Sequence, residues 1–97
     1  MPEVWGEMTS RDDIVEWLDD KEGLEPILLW DGLEEAFVGV VTDFHRQSVA
    51  CYDYDKIVDL LMSRDGMEWH DAVEHVDFNI AGGYLGEQTP LILTRYR

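Results

Sequence analysis

The fold of this chain is decided by residues 52–80, which read YDYDKIVDLLMSRDGMEWHDAVEHVDFNI. Either Asp53 or Asp55 can cap a helix that begins here, and each places negative charge at the helix's positive end. Apolar residues then recur at helical spacing until Gly66, a residue that commonly ends helices. The stretch therefore predicts a helix that stops at a glycine and is followed at once by a second helix.

This second helix is predicted over residues 68–79. Its buried stripe consists of apolar residues three and four positions apart: Trp69, Ala72, Val73, Val76 and Ile80. Two helices joined so closely must fold back on each other as a helical corner. At the end of the second helix, Asn79 is expected to be buried and to tie the helix to the sheet.

Strands are predicted on both sides of the helical pair. Residues 27–30 and 91–94 are short apolar runs that indicate strands. Residues 36–44 and 49–53 are rich in β-branched and aromatic residues and flank a short polar break, which indicates an antiparallel hairpin. Gly39, inside the first arm, indicates a bulge or the close approach of another backbone.

The N-terminal region adds one more helix, predicted over residues 11–22. Ser10 and Asp13 have the spacing of an approximate capping box, and Gly23 is the stop. Residues 1–8 are expected to form an irregular lead-in. The 97 residues thus predict a single α+β domain. It should contain a small, mostly antiparallel sheet of three or four strands, with about three helices packed on one face.

The large negative net charge of the chain is the second informative feature of the sequence. Twenty-two acidic residues face seven Lys and Arg, a formal net charge of -15, whereas about 2–8 in magnitude suits a small domain. Such an excess excludes direct nucleic-acid binding, which needs basic patches. Three interpretations remain open: binding to a basic protein surface, including one that normally holds nucleic acid; binding of cations; or adaptation to a salt-rich environment.

The first predicted helix concentrates this charge on one side. Its polar face carries five carboxylates: Asp12, Asp13, Glu16, Asp19 and Asp20. A solvated helix face accounts for them, and the alternative is an acidic ridge that imitates the spacing of phosphates. We take these five residues as the candidate partner-binding surface.

A second set of polar residues is a candidate ligand-binding group. Its members lie at predicted ends of strands and helices: Tyr52, Asp53, Asp55, Arg64 and Asn79. Aspartates at such junctions can hold Mg²⁺ or act as a general base, but they are also common helix caps. Arg64 suits an anionic ligand, and an ion pair with Asp53 or Asp55 is the simpler role.

The motifs of known chemistry are missing from the sequence. It has no Ser-His-Asp order, no G-x-S-x-G, no H-E-x-x-H and no Gly-rich lysine loop. His70 with Glu74, and Asp71 with His75, are pairs at helical spacing, but a working metal site needs three or four ligands. Cys51 lies in an apolar run and is interpreted as a small buried hydrophobe. We therefore expect no catalytic residue, metal or cofactor, and a non-enzymatic role is favoured.

Location and assembly are only weakly constrained. No apolar run approaches the ~20 residues that span a bilayer, and residues 1–7 lack the basic-then-apolar order of a signal peptide. The single cysteine cannot form an internal disulfide. We expect a cytoplasmic protein without a membrane partner, and the oligomeric state stays open.

The C-terminal two thirds of the chain also carries a resemblance. The motifs involved are, in order, Tyr52-Asp53-Tyr54-Asp55-Lys56, Leu61-Met62, Arg64-Asp65-Gly66-Met67, Ala72-Val73-Glu74, Phe78-Asn79, Gly83-Tyr84, Gly86-Glu87 and Thr89-Pro90. An earlier segment, Asp31-Gly32-Leu33-Glu34-Glu35-Ala36, also fits. In order and spacing, over about residues 28–93, these motifs resemble a family of small acidic, uncharacterised proteins of tailed bacteriophages and some bacteria. The resemblance implies a phage context, hence the host's cytoplasm, and supplies no catalytic residues.

The sequence as a whole favours a small acidic, phage-type protein that binds a host or phage protein through its negative surface. Mimicry of nucleic acid, or inhibition of a nucleic-acid enzyme, is a special case. One alternative is a ligand- or metal-binding module, or a small enzyme, with a pocket around Tyr52, Asp53, Arg64 and Asn79. Another is an oligomeric structural phage component that uses an exposed Trp5 or Trp69.

Overall fold

The computed structural model describes residues 10–21, 27–43, 46–80 and 88–96. Their helices are α1 (Arg11–Asp19), α2 (Tyr54–Ser63) and α3 (Trp69–His75). Their strands are β1 (Phe37–Asp43), β2 (Arg46–Asp53) and β3 (Leu91–Leu93). A short 3₁₀ turn, Glu34–Ala36, precedes β1, and a π-helical segment, Val76–Ile80, follows α3. The predicted α+β class is confirmed. The lead-in at 1–8, Trp5 and the stop at Gly23 lie outside the described residues.

The sheet has three strands in the order β1-β2-β3. β1 pairs antiparallel with β2, as the predicted hairpin requires. β3 pairs with β2 in parallel, with Tyr52 opposite Ile92. A parallel pair needs a long crossover connection, and the segment that contains α2 and α3 provides it. The central strand β2 therefore joins the hairpin to the C-terminal part of the chain.

The hairpin differs from expectation in its polar break. β2 already begins at Arg46, so part of the expected break belongs to the strand. The hydroxyl oxygens of Thr42 and Ser48 lie 2.9 Å apart across the two strands and form a hydrogen bond. The register shifts between Phe37 and Gly39, which confirms the bulge. A Cβ at Gly39 would meet no atom within 4 Å, so the alternative of a close backbone approach is wrong.

The strand expected at residues 27–30 does not form. Leu29 is buried in the core there, and the backbone N–H of Trp30 donates to the hydroxyl oxygen of Tyr52 at 3.0 Å. A short apolar run indicates burial, but periodicity alone cannot tell a strand from another buried segment. The hydroxyl of Tyr52 thus accepts the hydrogen bond that, in a sheet, a backbone carbonyl of a neighbouring strand would accept from Trp30.

The hydrophobic core lies between β2 and the two C-terminal helices. Ala50 and Tyr52 of β2 are fully buried and belong to the same cluster as Ile57, Leu61 and Ala72. Val49 and Cys51, on the alternate positions, are also buried. Burial on both faces explains why β2 reads as a continuous apolar run rather than an alternating one.

Helix α1 begins as predicted and ends early. The hydroxyl of Ser10 accepts from the backbone N–H of Asp13, whose carboxylate accepts from the N–H of Ser10, each at 3.2 Å. This reciprocal pair is the predicted capping box. The helix ends at Asp19, and Lys21 already bonds back to the carbonyl of Leu18. A bond of that span is a tight turn, so the α-helical geometry stops before residue 22.

Helix α2 has the predicted cap and stop. One carboxylate oxygen of Asp53 accepts from the N–H of Lys56 at 3.0 Å. After the last turn, Gly66 has a φ of 77°, a left-handed conformation that glycine adopts without steric cost. The N–H of Met67 can then bond back to the carbonyl of Leu61 at 3.2 Å. These two features set the angle at which α3 departs.

The second helix of the pair departs from prediction at both ends. Ala72 and Val76 are fully buried as expected, but Trp69 is 62% exposed, because it occupies the first turn and lies beyond the edge of the core. Asn79 is exposed rather than buried. It lies in the π segment, whose wider turn rotates the side chains that follow it out of α-helical register.

None of the described helices combines the length and the apolar character needed to cross a membrane.

Candidate functional site

The five carboxylates predicted for partner binding lie on one side of α1. Asp12, Asp13, Glu16, Asp19 and Asp20 are all exposed, and at ~100° per residue they fall within an arc of about 120°. From residue 12 to residue 20 the helix rises ~12 Å, so the charges are about 3 Å apart along the axis. One strand of DNA carries a charge every ~3.4 Å. The acidic face, as we call these five residues, therefore has a charge density close to that of a nucleic-acid strand.

The two cations that flank the acidic face in the sequence, Arg11 and Lys21, contact other groups. Arg11 directs its guanidinium to Asp31, with a nitrogen–oxygen distance of 2.8 Å. Lys21 places its ammonium over the ring of Trp17, 4.4 Å from the ring centre. Within the described residues no carboxylate of the face forms an ion pair with Lys or Arg. Its charge is therefore available to a partner.

Apolar side chains border the acidic face on both edges. Trp17 follows the arc on one side and is 41% exposed, while Val15 lies on the other side and is 39% exposed. The ring of Trp17 is held edge-on against Phe37, with ring centres 6.0 Å apart. Tryptophan is enriched among the residues that dominate binding energy at protein interfaces. Partly exposed apolar side chains therefore lie directly beside the five carboxylates.

Asp53, predicted as a cap or a ligand-binding residue, has a structural role. Its side chain is almost fully buried; one oxygen caps α2, and the other lies 2.7 Å from Nε of Arg95. Arg95 also reaches the exposed Asp55, at 3.6 Å. The ion pair expected between these aspartates and Arg64 is thus made by Arg95. Sequence reasoning missed Arg95, whose only signal was its place directly after the last predicted strand.

Tyr52 is also used by the fold. Its ring is fully buried between Trp30 and Phe37, with ring centres 5.0 and 5.6 Å away. Burial, first of all, raises the pKa of its hydroxyl, and the hydrogen bond from Trp30 opposes this shift. A buried neutral phenol that already accepts a hydrogen bond is not available to an external ligand.

Arg64 stabilises the turn at Gly32 by a hydrogen bond. Its Nη1 donates to the carbonyl oxygen of Gly32, and Nε and Nη2 hold the two carboxylate oxygens of Asp65 at 3.0 and 3.2 Å. Through these bonds, the guanidinium lowers the pKa of Asp65, and the carboxylate raises the pKa of Arg64. Of the five residues predicted to bind a ligand, Arg64, Tyr52 and Asp53 are thus engaged within the protein.

Asn79, the remaining exposed candidate besides Asp55, lines a surface groove with a volume of about 490 Å³. The groove lies along α3 and the π segment, and its walls are Met67, Asp71, Glu74, His75, Phe78 and Asn79. The amide nitrogen of Asn79 lies 3.2 Å from Nδ1 of His75. Arg64 does not line this groove, so the structure does not gather the predicted ligand residues around one opening.

The described residues contain one trio with metal-ligand chemistry. Donor atoms of Glu68, His70 and Asp71 lie within 4.8 Å of one another, and all three residues are exposed. The trio stands at the start of α3, which has only seven residues. Exposed acidic groups commonly cluster without an ion, and three surface donors fall short of the closed set of a structural zinc site. We assign no metal to it.

Cys51 is buried, as predicted. Burial, and next the negative charge of Asp53, raise the pKa of its thiol. Since the thiolate is the reactive form, this environment makes a poor nucleophile.

Comparison with known proteins identifies no relative: no family model matches the chain, and neither a curated protein nor a solved structure shows a significant match.

Proposed function

We propose that this is a non-enzymatic binding protein that engages a basic surface of a host or phage protein through the acidic face of α1. The single observation that carries the proposal is the arrangement of that face. Its five exposed carboxylates have nearly the linear charge density of a DNA strand, and no described Lys or Arg neutralises them. A protein surface built to hold nucleic acid is complementary to such a face, so competition with nucleic acid is the expected consequence.

The motif resemblance supports a phage origin for the protein, and with it a site of action in the cytoplasm of the infected host. A phage gains from a small protein that occupies the nucleic-acid site of a host enzyme. The surplus charge also gives fast association, because electrostatic steering raises the encounter rate with a basic partner.

The test compares two variants with the same net charge. The face variant is Asp12→Asn/Glu16→Gln/Asp19→Asn, which spares Asp13 because that residue caps α1. The matched control is Glu35→Gln/Asp59→Asn/Glu68→Gln, three exposed carboxylates on other elements. Each variant removes three of the 22 acidic charges.

Binding is measured against purified basic nucleic-acid enzymes, in competition with duplex DNA, between about 50 and 200 mM salt. We expect binding by the wild type at low salt that weakens steeply as salt rises. The face variant should bind at least ~10-fold more weakly than the control variant. Equal losses in both variants would assign the charge to general solubility or to a salt-rich environment. Absence of binding at low salt would overturn the proposal.

A further inference from the structure

We propose that the groove formed by α3 and the π segment is a second binding site, which receives an arginine side chain of the partner protein. The groove is separate in sequence from the acidic face and has its own chemistry. Its volume of about 490 Å³ lies within the ~300–1,000 Å³ of ligand pockets in proteins. Charge, an exposed aromatic ring and an amide together define what fits there.

The first observation is the exposed aromatic ring. Phe78 is 73% exposed although it lines the groove beside the partly buried Met67. Covering this ring would remove apolar surface from water, so Phe78 offers an occupant of the groove a favourable apolar contact.

The second observation is the backbone that presents this ring. Phe78 and Asn79 lie in the π-helical segment Val76–Ile80. Helical turns of this kind are rare and are found frequently at functional sites. Asn79, which a continued α-helix was predicted to bury, is exposed in this segment beside Phe78.

The third observation is charge. Asp71 and Glu74 line the same groove, and they are neighbours on the surface of α3 because they are three residues apart. Neither is in an ion pair with Lys or Arg among the described residues. The groove also contains the imidazole of His75, but two carboxylates in a chain of net charge -15 repel phosphates and carboxylates, so the charge favours a cation as the occupant.

Arginine is the cation that satisfies all three features. Its guanidinium stacks on an aromatic face and pairs with carboxylates through a planar fork of N–H donors. Its aliphatic stem covers apolar surface such as Met67 and Phe78. The amide nitrogen of Asn79 lies 3.2 Å from Nδ1 of His75, and the amide also has a carbonyl oxygen, a group that accepts N–H donors. A metal ion would leave Phe78 uncovered, and a lysine lacks the planar fork.

This inference rests on the proposed function in one respect, namely that the natural occupant belongs to a basic protein. The test of the groove is independent, because it uses the peptide acetyl-Gly-Arg-Gly-amide and no partner protein. If the peptide does not bind the groove, the salt-dependent competition by the acidic face can still be observed. If the acidic face does not compete with DNA, binding of the peptide to the groove can still be observed.

The experiment is an NMR titration of the ¹⁵N-labelled full chain with that peptide. We expect saturable shifts confined to the amides of residues 67–79. The same peptide with citrulline, which keeps the shape and lacks the charge, should produce no saturable shift. Glu74→Gln should weaken binding about 10-fold, and Phe78→Ala about 3-fold. Both residues are exposed, and the amide spectrum itself reports whether each variant is folded.

The matched control is Asp59→Asn, which removes an exposed carboxylate from α2 outside the groove. It should leave the affinity for the peptide within about twofold of the wild type. The inference is overturned if the shifts spread over α1, if the citrulline peptide binds equally well, or if Asp59→Asn weakens binding as much as Glu74→Gln.

Discussion

Aspartates serve opposite purposes in two regions of this molecule. At the start of α2, Asp53 is only 3% exposed, and each of its carboxylate oxygens has a partner, the N–H of Lys56 and the guanidinium of Arg95. On α1, the carboxylates of the acidic face are exposed, and no described Lys or Arg pairs with them. The same side chain therefore stabilises the fold in one region and creates a surface potential in the other.

The difference lies in what surrounds each carboxylate. A buried charge without partners would cost several kcal/mol, so Asp53 is tolerated only because donors meet it. An exposed carboxylate has water as its partner and needs no other group, so five can share one helix side at a small cost. Removal of Asp53 should consequently destabilise the protein, whereas removal of Glu16 or Asp19, which lie beyond the first turn of α1, should stabilise it slightly.

The largest effect is expected for Asp53→Ala. It removes the cap of α2 and leaves Arg95 without its closest partner, so the free energy of unfolding should fall by about 2–3 kcal/mol. Urea denaturation followed by tryptophan fluorescence measures it. Asp53→Asn should recover about 1 kcal/mol, because asparagine keeps the cap and loses only the charge.

The control is Asp55→Ala, at an exposed site, which should cost under ~0.5 kcal/mol. Equal costs for Asp53→Ala and Asp55→Ala would show that burial of the aspartate makes no difference to stability.

The next effect concerns the tyrosine beside Asp53. Tyr52→Phe removes the acceptor for the backbone N–H of Trp30 and leaves that donor unpaired in a part-buried position. We expect a loss of about 1–2 kcal/mol at neutral pH in the same denaturation experiment. Tyr54→Phe, at the neighbouring and partly exposed tyrosine, is the comparison and should cost less. A neutral Tyr52→Phe would mean that water replaces the hydroxyl.

The pH dependence of stability also tests the burial of Tyr52. Burial raises the pKa of Tyr52 above its usual value, so the folded protein holds this proton more tightly than the unfolded chain does. Stability from this group is complete below a pH of about 10, where the unfolded tyrosine titrates, and is lost as pH rises towards the folded pKa. Wild type should therefore lose stability more steeply than Tyr52→Phe above pH ~10. Since Cys51 and Tyr54, whose pKa values are also raised, remain in both proteins, the difference isolates Tyr52; parallel pH curves would count against it.

The smallest effect has the opposite sign. Glu16→Gln/Asp19→Asn removes like charges at helical spacing and relieves the negative end of the α1 dipole. The free energy of unfolding should rise by about 0.5 kcal/mol at low salt. In ~1 M salt, where the screening length is about 3 Å, the gain should disappear. A destabilised double variant would show that these carboxylates support the fold, contrary to their exposure.

Local rules predicted the elements that local contacts build. The capping box of Ser10 and Asp13, the cap of α2 at Asp53 and the stop at Gly66 all follow from residue type and spacing. The prediction of a strand at residues 27–30 was wrong for a different reason. A strand forms only where a neighbouring strand lies alongside it, whereas the backbone N–H of Trp30 donates to the side-chain hydroxyl of Tyr52.

The candidate sites divide in the same way. The acidic face could be read from the sequence, because residues on one helix keep their angular relation wherever the helix packs. The groove could not, because it includes Asn79, which α-helical spacing predicted to be buried and which is exposed in the π segment. The pairing of Arg95 with Asp53 could not either, since 42 positions separate the two residues along the chain.

The amino-acid sequence by itself determined the α+β class, the starts of α1 and α2, the stop at Gly66, the net charge and the side of α1 on which that charge lies. These properties depend on neighbours a few residues apart, which helical geometry places predictably. Only the tertiary structure decided which cation meets Asp53, which donor meets Tyr52, and that Asn79 is exposed. Those outcomes depend on burial, because a polar group taken out of water must find its partner wherever the fold brings one within reach.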